Sequence, residues 1–341
     1  MKDNHVTVPN LSSPLDVAGI TLRNRVVLAP MSGVTDLPFR QLAWRHGAGL
    51  VVTEMVASRE LVGNAGESWA RLKGAGIRPH MVQLAGREAH WMAQAARIVE
   101  DQGADLIDIN MGCPAKKVTG GYSGSALMRD PDHALSLIEA TVKAVRIPVT
   151  LKMRLGWDDT TINAPEIARR AQAAGIRLVT IHGRTRMQFY TGRADWPAIR
   201  AVRDAISIPL IANGDVESEA DAAEILRVSG ADAVMVGRGA QGRPWHAGVL
   251  ASAGQAPEGR ERLELIAEHY EMMLGFYGIE TGLRHARKHL GWYMDRFAPD
   301  AAKGPVLTAT DHRVALARLM EALEAAPSAH APNADSEARA A

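Results

Sequence analysis

Short, continuous apolar runs recur along the chain and alternate with longer segments whose apolar residues repeat at helical spacing. Unbroken runs of Val, Ile and Leu are typical of parallel strands buried on both faces, because half-exposed strands alternate apolar and polar positions. Eight such runs occur, at residues 26–29, 50–53, 80–84, 106–110, 148–153, 178–182, 210–213 and 233–236. Eight strands alternating with helices predict an α/β protein of the (β/α)8 TIM-barrel class.

The residues through which these runs are entered alternate in type. The even-numbered runs are entered through glycine, at Gly47, Gly103, Gly175 and Gly230. The third, fifth and seventh runs are entered through proline, at Pro79, Pro148 and Pro209. Glycine suits the left-handed end of a helix, and proline stops a helix and starts an extended segment. The alternation indicates a unit of two strands and two helices used four times, which favours the barrel over the alternative of a doubly wound open sheet.

The segments that flank the eight runs have other patterns. Residues 15–28 predict two short strands around Gly19, a hairpin that caps the barrel. After residue 256 the apolar spacing is helical only, with helices expected at 260–275, 279–296 and 311–325. The predicted organisation is an irregular N-terminus (1–13), a TIM-barrel catalytic domain (14–256), a small C-terminal all-helical domain (257–325) and a disordered tail (326–341).

Composition narrows the functional classes. Hydrophobic residues make up 47% of the 341 residues and charged residues 23%, as in ordinary soluble proteins. We see no signal segment and no uncharged run of about 20 residues, so we expect no membrane partner. The single cysteine, Cys113, cannot form an internal disulfide, which favours a reducing, cytoplasmic location. Because the net charge is only +1, a nucleic acid would have to be held by a local basic patch.

Polar side chains stand where almost every predicted strand ends. The residues at these ends are Pro30, Met31, Gln83, Asn110, Cys113, Lys152, Arg154, His182, Asn213, Asp215, Gly237 and Arg238. Taken singly, Lys152 is explained as a side chain that reaches solvent and Cys113 as a small buried hydrophobe. Their joint placement at the carboxyl ends of barrel strands, where TIM-barrel active sites lie, predicts an active site.

The loops after the last two strands predict a phosphate site. Residues 213–215 (Asn-Gly-Asp) and 237–239 (Gly-Arg-Gly) supply backbone N–H donors and a guanidinium. Lys152 and Gln83 would then lie deeper, beside a flat ring attached to that phosphate. A cation there would stabilise the negative charge that a flavin acquires at its N1 and O2 edge on reduction.

Four motifs carry a resemblance to a known family. They lie at residues 28–36 (LAPMSGVTD), 110–117 (NMGCPAKK), 151–154 (LKMR) and 181–186 (IHGRTR). From about residue 14 to residue 325 the chain resembles the tRNA-dihydrouridine synthases, most closely the bacterial B-type branch. The resemblance implies an FMN enzyme that uses NADPH to reduce uridine in the tRNA D-loop, without a metal.

The resemblance also implies roles for individual residues. It assigns FMN to Pro30, Met31, Gln83, Lys152, His182, Asn213, Asp215, Gly237 and Arg238. It assigns the uracil to Asn110, Arg154 and Tyr190, and the proton donor to Cys113. Hydride would arrive at uracil C6 from the flavin, and the resulting enolate would take a proton at C5 from Cys113, which therefore has to be a thiol and not a thiolate.

The predicted C-terminal helices hold a candidate RNA contact. Arg284, Arg287 and Lys288 are spaced three and four apart, so they share one helix face and would form a phosphate-binding stripe. Lys116 and Lys117, near Cys113, would extend this basic track. The alternative is a solvated helix face, which is the usual role of a charged run.

Two other functions stay open at this point. An FMN barrel acting on a small pyrimidine, as in a dihydroorotate or dihydropyrimidine dehydrogenase, would share the phosphate site and Lys152 but would not use the basic helix. A tRNA-binding protein without catalysis would not require Cys113 or Asn110.

Overall fold

The eight apolar runs form parallel strands in the computed structural model, which describes residues 8–326. The strands of this part of the chain are β1 (Leu15–Val17), β2 (Ile20–Leu22), β3 (Val26–Leu28), β4 (Leu50–Val51), β5 (Val56–Ala57), β6 (Met81–Ala85), β7 (Leu106–Met111), β8 (Val149–Arg154), β9 (Val179–His182), β10 (Leu210–Asn213) and β11 (Ala233–Val236). Strands β1 and β2 pair antiparallel, and their turn places Ala18 and Gly19 at positive φ. This confirms the predicted hairpin.

The parallel strands close into a barrel. Within the described residues their order is β4-β3-β11-β10-β9-β8-β7-β6-β5. Strand β4 lies within the predicted run at 50–53, whereas β5, which follows at Val56–Ala57, was not predicted. An isolated parallel bridge between Val52 and Met81 joins the two ends of the sheet. The predicted (β/α)8 barrel is therefore confirmed, with β5 as an additional short strand.

The helices of the described chain lie between and after the strands. They are α1 (Leu37–Arg45), α2 (Ser58–Val62), α3 (Gly66–Leu72), α4 (Ala89–Asp101), α5 (Lys116–Thr119), α6 (Pro131–Ala144), α7 (Ala164–Ala173), α8 (Arg200–Ala205), α9 (Glu219–Ser229), α10 (His246–Leu250), α11 (Gly259–Tyr277), α12 (Ile279–Phe297), α13 (Gly304–Leu307) and α14 (His312–Ala325). Gly230 ends α9 in the left-handed conformation (φ 67°), as its position before a strand predicts. No helix of the described part has the length and apolar character that crossing a membrane requires.

The chain forms two compact units. The first contains the barrel, with residues 8–240 and Pro244–Gln255, and the second contains Gln241–Arg243 and residues 256–326. The three helices predicted for the C-terminal region correspond to α11, α12 and α14, and the short helix α13 was not predicted. Residues 1–7 of the predicted irregular N-terminus and 327–341 of the predicted tail lie outside the described residues.

The core of the second unit encloses two histidine rings. His269 and His289 are each 1% exposed, and their ring centroids lie 4.9 Å apart. His269 Nδ1 lies 2.9 Å from the Tyr293 hydroxyl. Burial lowers the pKa of His269 to about 3, against the opposing charge of Glu268, and burial lowers the pKa of His289 well below its usual value, with the neighbouring Lys288 adding to the effect. Both rings are therefore neutral in the folded protein at pH 7.

We expect the protein to lose stability between pH 7.5 and pH 5.5. Because the pKa values of His269 and His289 are lower in the folded than in the unfolded chain, their contribution is complete above pH 6.5 and declines as the pH falls. Each histidine is expected to cost roughly 1.4 kcal/mol at pH 5.5. Urea unfolding of the full chain at several pH values measures this. H289L should flatten the profile, the exposed-site control H90Q should not, and a flat wild-type profile would contradict the prediction.

Candidate active site

The carboxyl ends of the barrel strands gather the predicted residues at one rim. Because β6, β7 and β8 are parallel and in register, Gln83 pairs with Asp108 and Asn110 pairs with Lys152 across neighbouring strands. On the next pair of strands, Arg154 lies opposite His182. The strand pairing alone therefore brings the polar side chains of four consecutive strands together.

The turn after β7 fixes the position of Cys113. The Asn110 side-chain oxygen accepts hydrogen bonds from the backbone N–H groups of Gly112 (3.2 Å) and Cys113 (3.0 Å). The carbonyl of Cys113 accepts two more, from the backbone N–H (3.1 Å) and hydroxyl (2.9 Å) of Ser125. The cysteine is partly exposed. Hydrogen bonds thus hold the backbone of Cys113 on both sides.

A chain of hydrogen bonds orients the Asn110 amide. Its Nδ2 donates to Gln83 Oε1 (2.7 Å), and Gln83 Nε2 donates to Asp108 Oδ2 (2.7 Å). The other oxygen of Asp108 accepts from the Thr150 hydroxyl at 2.6 Å. Burial raises the pKa of Asp108, against these hydrogen bonds and the charge of Lys152. Because each amide uses its oxygen and its nitrogen on different partners, the network admits only one orientation of Gln83 and Asn110.

Lys152 brings a cation to the middle of the rim. Its Nζ donates to Asn213 Oδ1 (3.2 Å), and Asn213 Nδ2 donates to the carbonyl of Met235 (2.8 Å). Burial lowers the pKa of Lys152 to about 8, with Asp108 acting in the opposite direction. Burial and the nearby cations, first Lys152, hold the pKa of His182 well below its usual value. The site therefore combines a neutral imidazole with a lysine whose pKa burial holds below its usual value.

Arg154 fastens two loops to each other. Its Nε donates to the carbonyl of Gly112 (2.9 Å), and one terminal nitrogen donates to the carbonyls of Thr185 and Phe189 (2.8 Å each). The side chain is almost fully buried, and burial lowers its pKa to about 10. The ring of Tyr190 lies 5.5 Å from the guanidinium. Three backbone acceptors thus occupy much of the donor set that the resemblance assigns to uracil.

A buried arginine that the sequence reasoning did not single out organises the phosphate side of the rim. Arg184 makes two hydrogen bonds with the Asp215 carboxylate, at 2.9 and 2.6 Å, while Arg238 donates to the same carboxylate at 2.9 Å. These cations lower the pKa of Asp215 despite its partial burial. Since both carboxylate oxygens accept from arginines, Asp215 positions Arg238 at the rim. The only feature of the sequence that could have indicated this role is the position of Arg184, two residues after His182 at the end of a strand.

The loops at the ends of β3, β10 and β11 surround this ion pair. Gly214 has a φ of 126°, and a Cβ there would lie 2.7 Å from the Cβ of Ala194, so only glycine fits. Gly237 is different, because a Cβ at that position would meet only Ala29 and Met31, at 3.8 Å. Pro30 and Met31 are partly exposed. A Cβ at Gly237 would therefore fit in ordinary van der Waals contact with Ala29 and Met31, so the space does not require glycine there.

The predicted basic stripe lies on α12, in the second unit. Arg284 is exposed and donates to the hydroxyl of Thr281 (3.2 Å), whereas Arg287 donates to the carbonyl of Ala309 (3.2 Å). Lys288 is partly exposed. Arg287 therefore also ties α12 to the segment before α14, a structural role that the spacing did not reveal.

The family model and the relatives found by sequence indicate one family. The family model described as Dihydrouridine synthase (Dus) matches residues 27–327. A probable tRNA-dihydrouridine synthase of Rhizobium leguminosarum bv. phaseoli is 74% identical over 309 residues, 90% of this chain and 97% of that protein. The tRNA-dihydrouridine synthase B of Xanthomonas campestris pv. campestris is 49% identical over 286 residues, 82% of this chain and 86% of that protein. Among solved structures, morphinone reductase shares the fold, with a TM-score of 0.53, 15% identity, and coverage of 74% of this chain and 92% of that chain.

Proposed function

The chain belongs to the dihydrouridine synthase family, and from this premise we propose that it reduces uridines in the D-loop of tRNA to 5,6-dihydrouridine, with FMN as cofactor and NADPH as reductant. The observation that carries the proposal is the turn in which Asn110 holds Cys113. It places one thiol, the only one in the sequence, at the rim where Gln83 and Lys152 also converge.

The residues of the rim fit the chemical groups of FMN. Arg238, 48% exposed, and the backbone N–H of the neighbouring Gly237 suit a phosphate. Lys152, deeper in the site, suits the flavin edge that gains negative charge on reduction. We propose the FMN contacts to be Pro30, Met31, Gln83, Lys152, His182, Asn213, Asp215, Gly237 and Arg238, with Asp215 acting by holding Arg238.

When bound and reduced by NADPH, FMN supplies a hydride to C6 of the uracil ring. The chain itself supplies the proton. We propose that Asn110 and Tyr190, together with the donors of Arg154 that the loops leave available, hold the uracil so that C5 faces Cys113. The Cys113 thiol then donates its proton to C5, and the hydride and proton together complete the saturated 5,6 bond.

Mapping of dihydrouridine tests this function directly. We expect D-loop uridines of tRNA to be unmodified in cells that lack the gene and to be restored by the wild-type chain. The purified protein should be yellow, and tRNA should reoxidise its reduced flavin. Reoxidation by free uracil or orotate but not by tRNA would instead identify an oxidoreductase of small pyrimidines, and tRNA binding without flavin would identify a non-catalytic protein.

We expect the double variant R284A/K288A to bind tRNA more weakly and with a smaller dependence on salt. The loss of two phosphate contacts should lower the slope of log K against log[salt] by about 2. Fluorescence titrations between 50 and 300 mM salt measure this slope. R313A, which removes an exposed cation from α14, is the control. Arg287 is left intact, because its bond to Ala309 stabilises the fold. Unchanged affinity and an unchanged slope would contradict the assignment of these residues to tRNA binding.

A further inference from the structure

The loop after β9 exposes an apolar surface. Met187, Phe189 and Tyr190 are 57%, 42% and 45% exposed. Isolated exposed apolar residues are ordinary, but a cluster of large ones marks an interaction site. Tyr190 already has a proposed role at the uracil, whereas Met187 and Phe189 have none.

The loop that carries these residues is held firmly by its backbone. Arg154 binds the carbonyls of Thr185 and Phe189, and Arg184 binds the carbonyl of Thr191. Phe189 has a φ of 53°, a left-handed conformation that is strained for a bulky residue. The surrounding hydrogen bonds therefore keep Phe189 in a conformation that it would not adopt by itself. The loop backbone that carries the exposed Phe189 ring is therefore fixed by these hydrogen bonds.

Cations border the same surface. The guanidinium carbons of Arg129 and Arg186 each lie 4.9 Å from the centre of the Trp157 ring. The backbone N–H of Met187 donates to the carbonyl of Trp157 at 2.9 Å, so the tryptophan is directly tied to the apolar loop. We call the set Trp157, Met187, Phe189, Arg129 and Arg186 the aromatic patch.

We propose that the aromatic patch binds an unpaired nucleotide next to the target uridine, with the base stacked on Phe189 and the phosphate paired with Arg186 and Arg129. The proposal rests on the proposed function and deepens it. A flat apolar face joined to an anion is what a nucleotide presents, and proteins bind unstacked bases by combining aromatic rings with a basic border. Extruding a uridine also unstacks its neighbours, which leaves a base face to be covered.

The position of the patch agrees with this occupant. The ring of Phe189 lies 4.8 Å from that of Tyr190, edge to face. Tyr190 in turn lies 5.2 Å from the guanidinium of Arg238 and 5.5 Å from that of Arg154. A base on Phe189 would therefore lie beside Tyr190, which contacts the uracil under the proposed function.

The test uses the full chain and a tRNA transcript that carries 2-aminopurine beside the uridine found by mapping. We expect the wild type to quench 2-aminopurine fluorescence on one side of that uridine, and F189A to remove the quenching and raise the Kd between about fivefold and 150-fold. F189L, which keeps apolar area without a flat ring, should bind almost as weakly. V314A, at an exposed apolar site on α14, should match the wild type, and F189A should retain its flavin.

The outcomes separate the two proposals. If the wild type forms no dihydrouridine, the proposed function fails. If the wild type is active but F189A keeps both the quenching and the Kd, only the nucleotide site is overturned. It is overturned equally if sedimentation shows a wild-type dimer that F189A dissociates while tRNA affinity stays the same, because the patch would then bind a second copy of the chain.

Discussion

Replacing Cys113 with alanine is expected to slow dihydrouridine formation by at least about 100-fold, the typical contribution of a positioned general acid. The substitution removes the thiol but keeps the backbone N–H that donates to Asn110 and the carbonyl that accepts from Ser125. The turn should therefore persist, and the loss should come from the proton that C5 no longer receives. Flavin content and flavin reduction by NADPH should equal those of the wild type.

Rapid mixing of reduced enzyme with unmodified tRNA, followed by flavin absorbance, measures the affected step. C113S is an informative companion, because a hydroxyl in the same place is a much weaker acid and should recover little of the rate. S125A serves as the matched control. It removes a hydrogen bond to the Cys113 carbonyl but keeps the thiol, so its rate should stay within a few-fold of the wild type. Undiminished reoxidation in C113A would remove Cys113 from the mechanism.

Much of the fold was predictable because the barrel strands are buried on both faces. Seven of the eight predicted strands appear within one residue of their expected bounds. The exception is the run at 50–53, in which only Leu50–Val51 form a strand. The Thr53 hydroxyl accepts from the backbone N–H of Gln83, so a side chain replaces the regular pairing there. This replacement of a backbone acceptor by a side chain depends on a partner 30 residues away, so the sequence around Thr53 does not predict it.

The positions of the strand-end residues were predictable, whereas the contacts that hold their side chains were not. The parallel sheet places Gln83, Asn110 and Lys152 side by side once their strands are recognised. Asp108 and Thr150, which lie within apolar runs, complete the network, and a polar residue inside a buried strand was the available signal for them. The hydrogen-bond partners of long side chains are harder to predict. Nothing in the sequence near Arg154, for example, indicates that it binds the carbonyls of distant loops.

Replacing Arg184 with alanine is expected to destabilise the barrel by about 3–5 kcal/mol, because it leaves the partly buried Asp215 without its main partner. The Arg184 side chain is 1% exposed and also donates to the carbonyl of Thr191 and lies 3.3 Å from His182 Nε2. Arg238 binds the same carboxylate but is 48% exposed. Its removal should therefore cost only about 0–1 kcal/mol of stability.

The two variants should separate stability from cofactor binding. If the proposed FMN contacts are right, R238A lacks a partner for the phosphate and should fold normally but purify with little flavin. R184A should lose both flavin and stability. Urea unfolding measured on flavin-free protein gives the free energies, and absorbance at equal protein concentration gives the flavin content. The two arginines share one carboxylate, and the greater burial of Arg184 is the reason that its loss should cost more unfolding free energy. Equal losses of unfolding free energy in R184A and R238A would therefore contradict this prediction. A fully yellow R238A would remove Arg238 from the phosphate site.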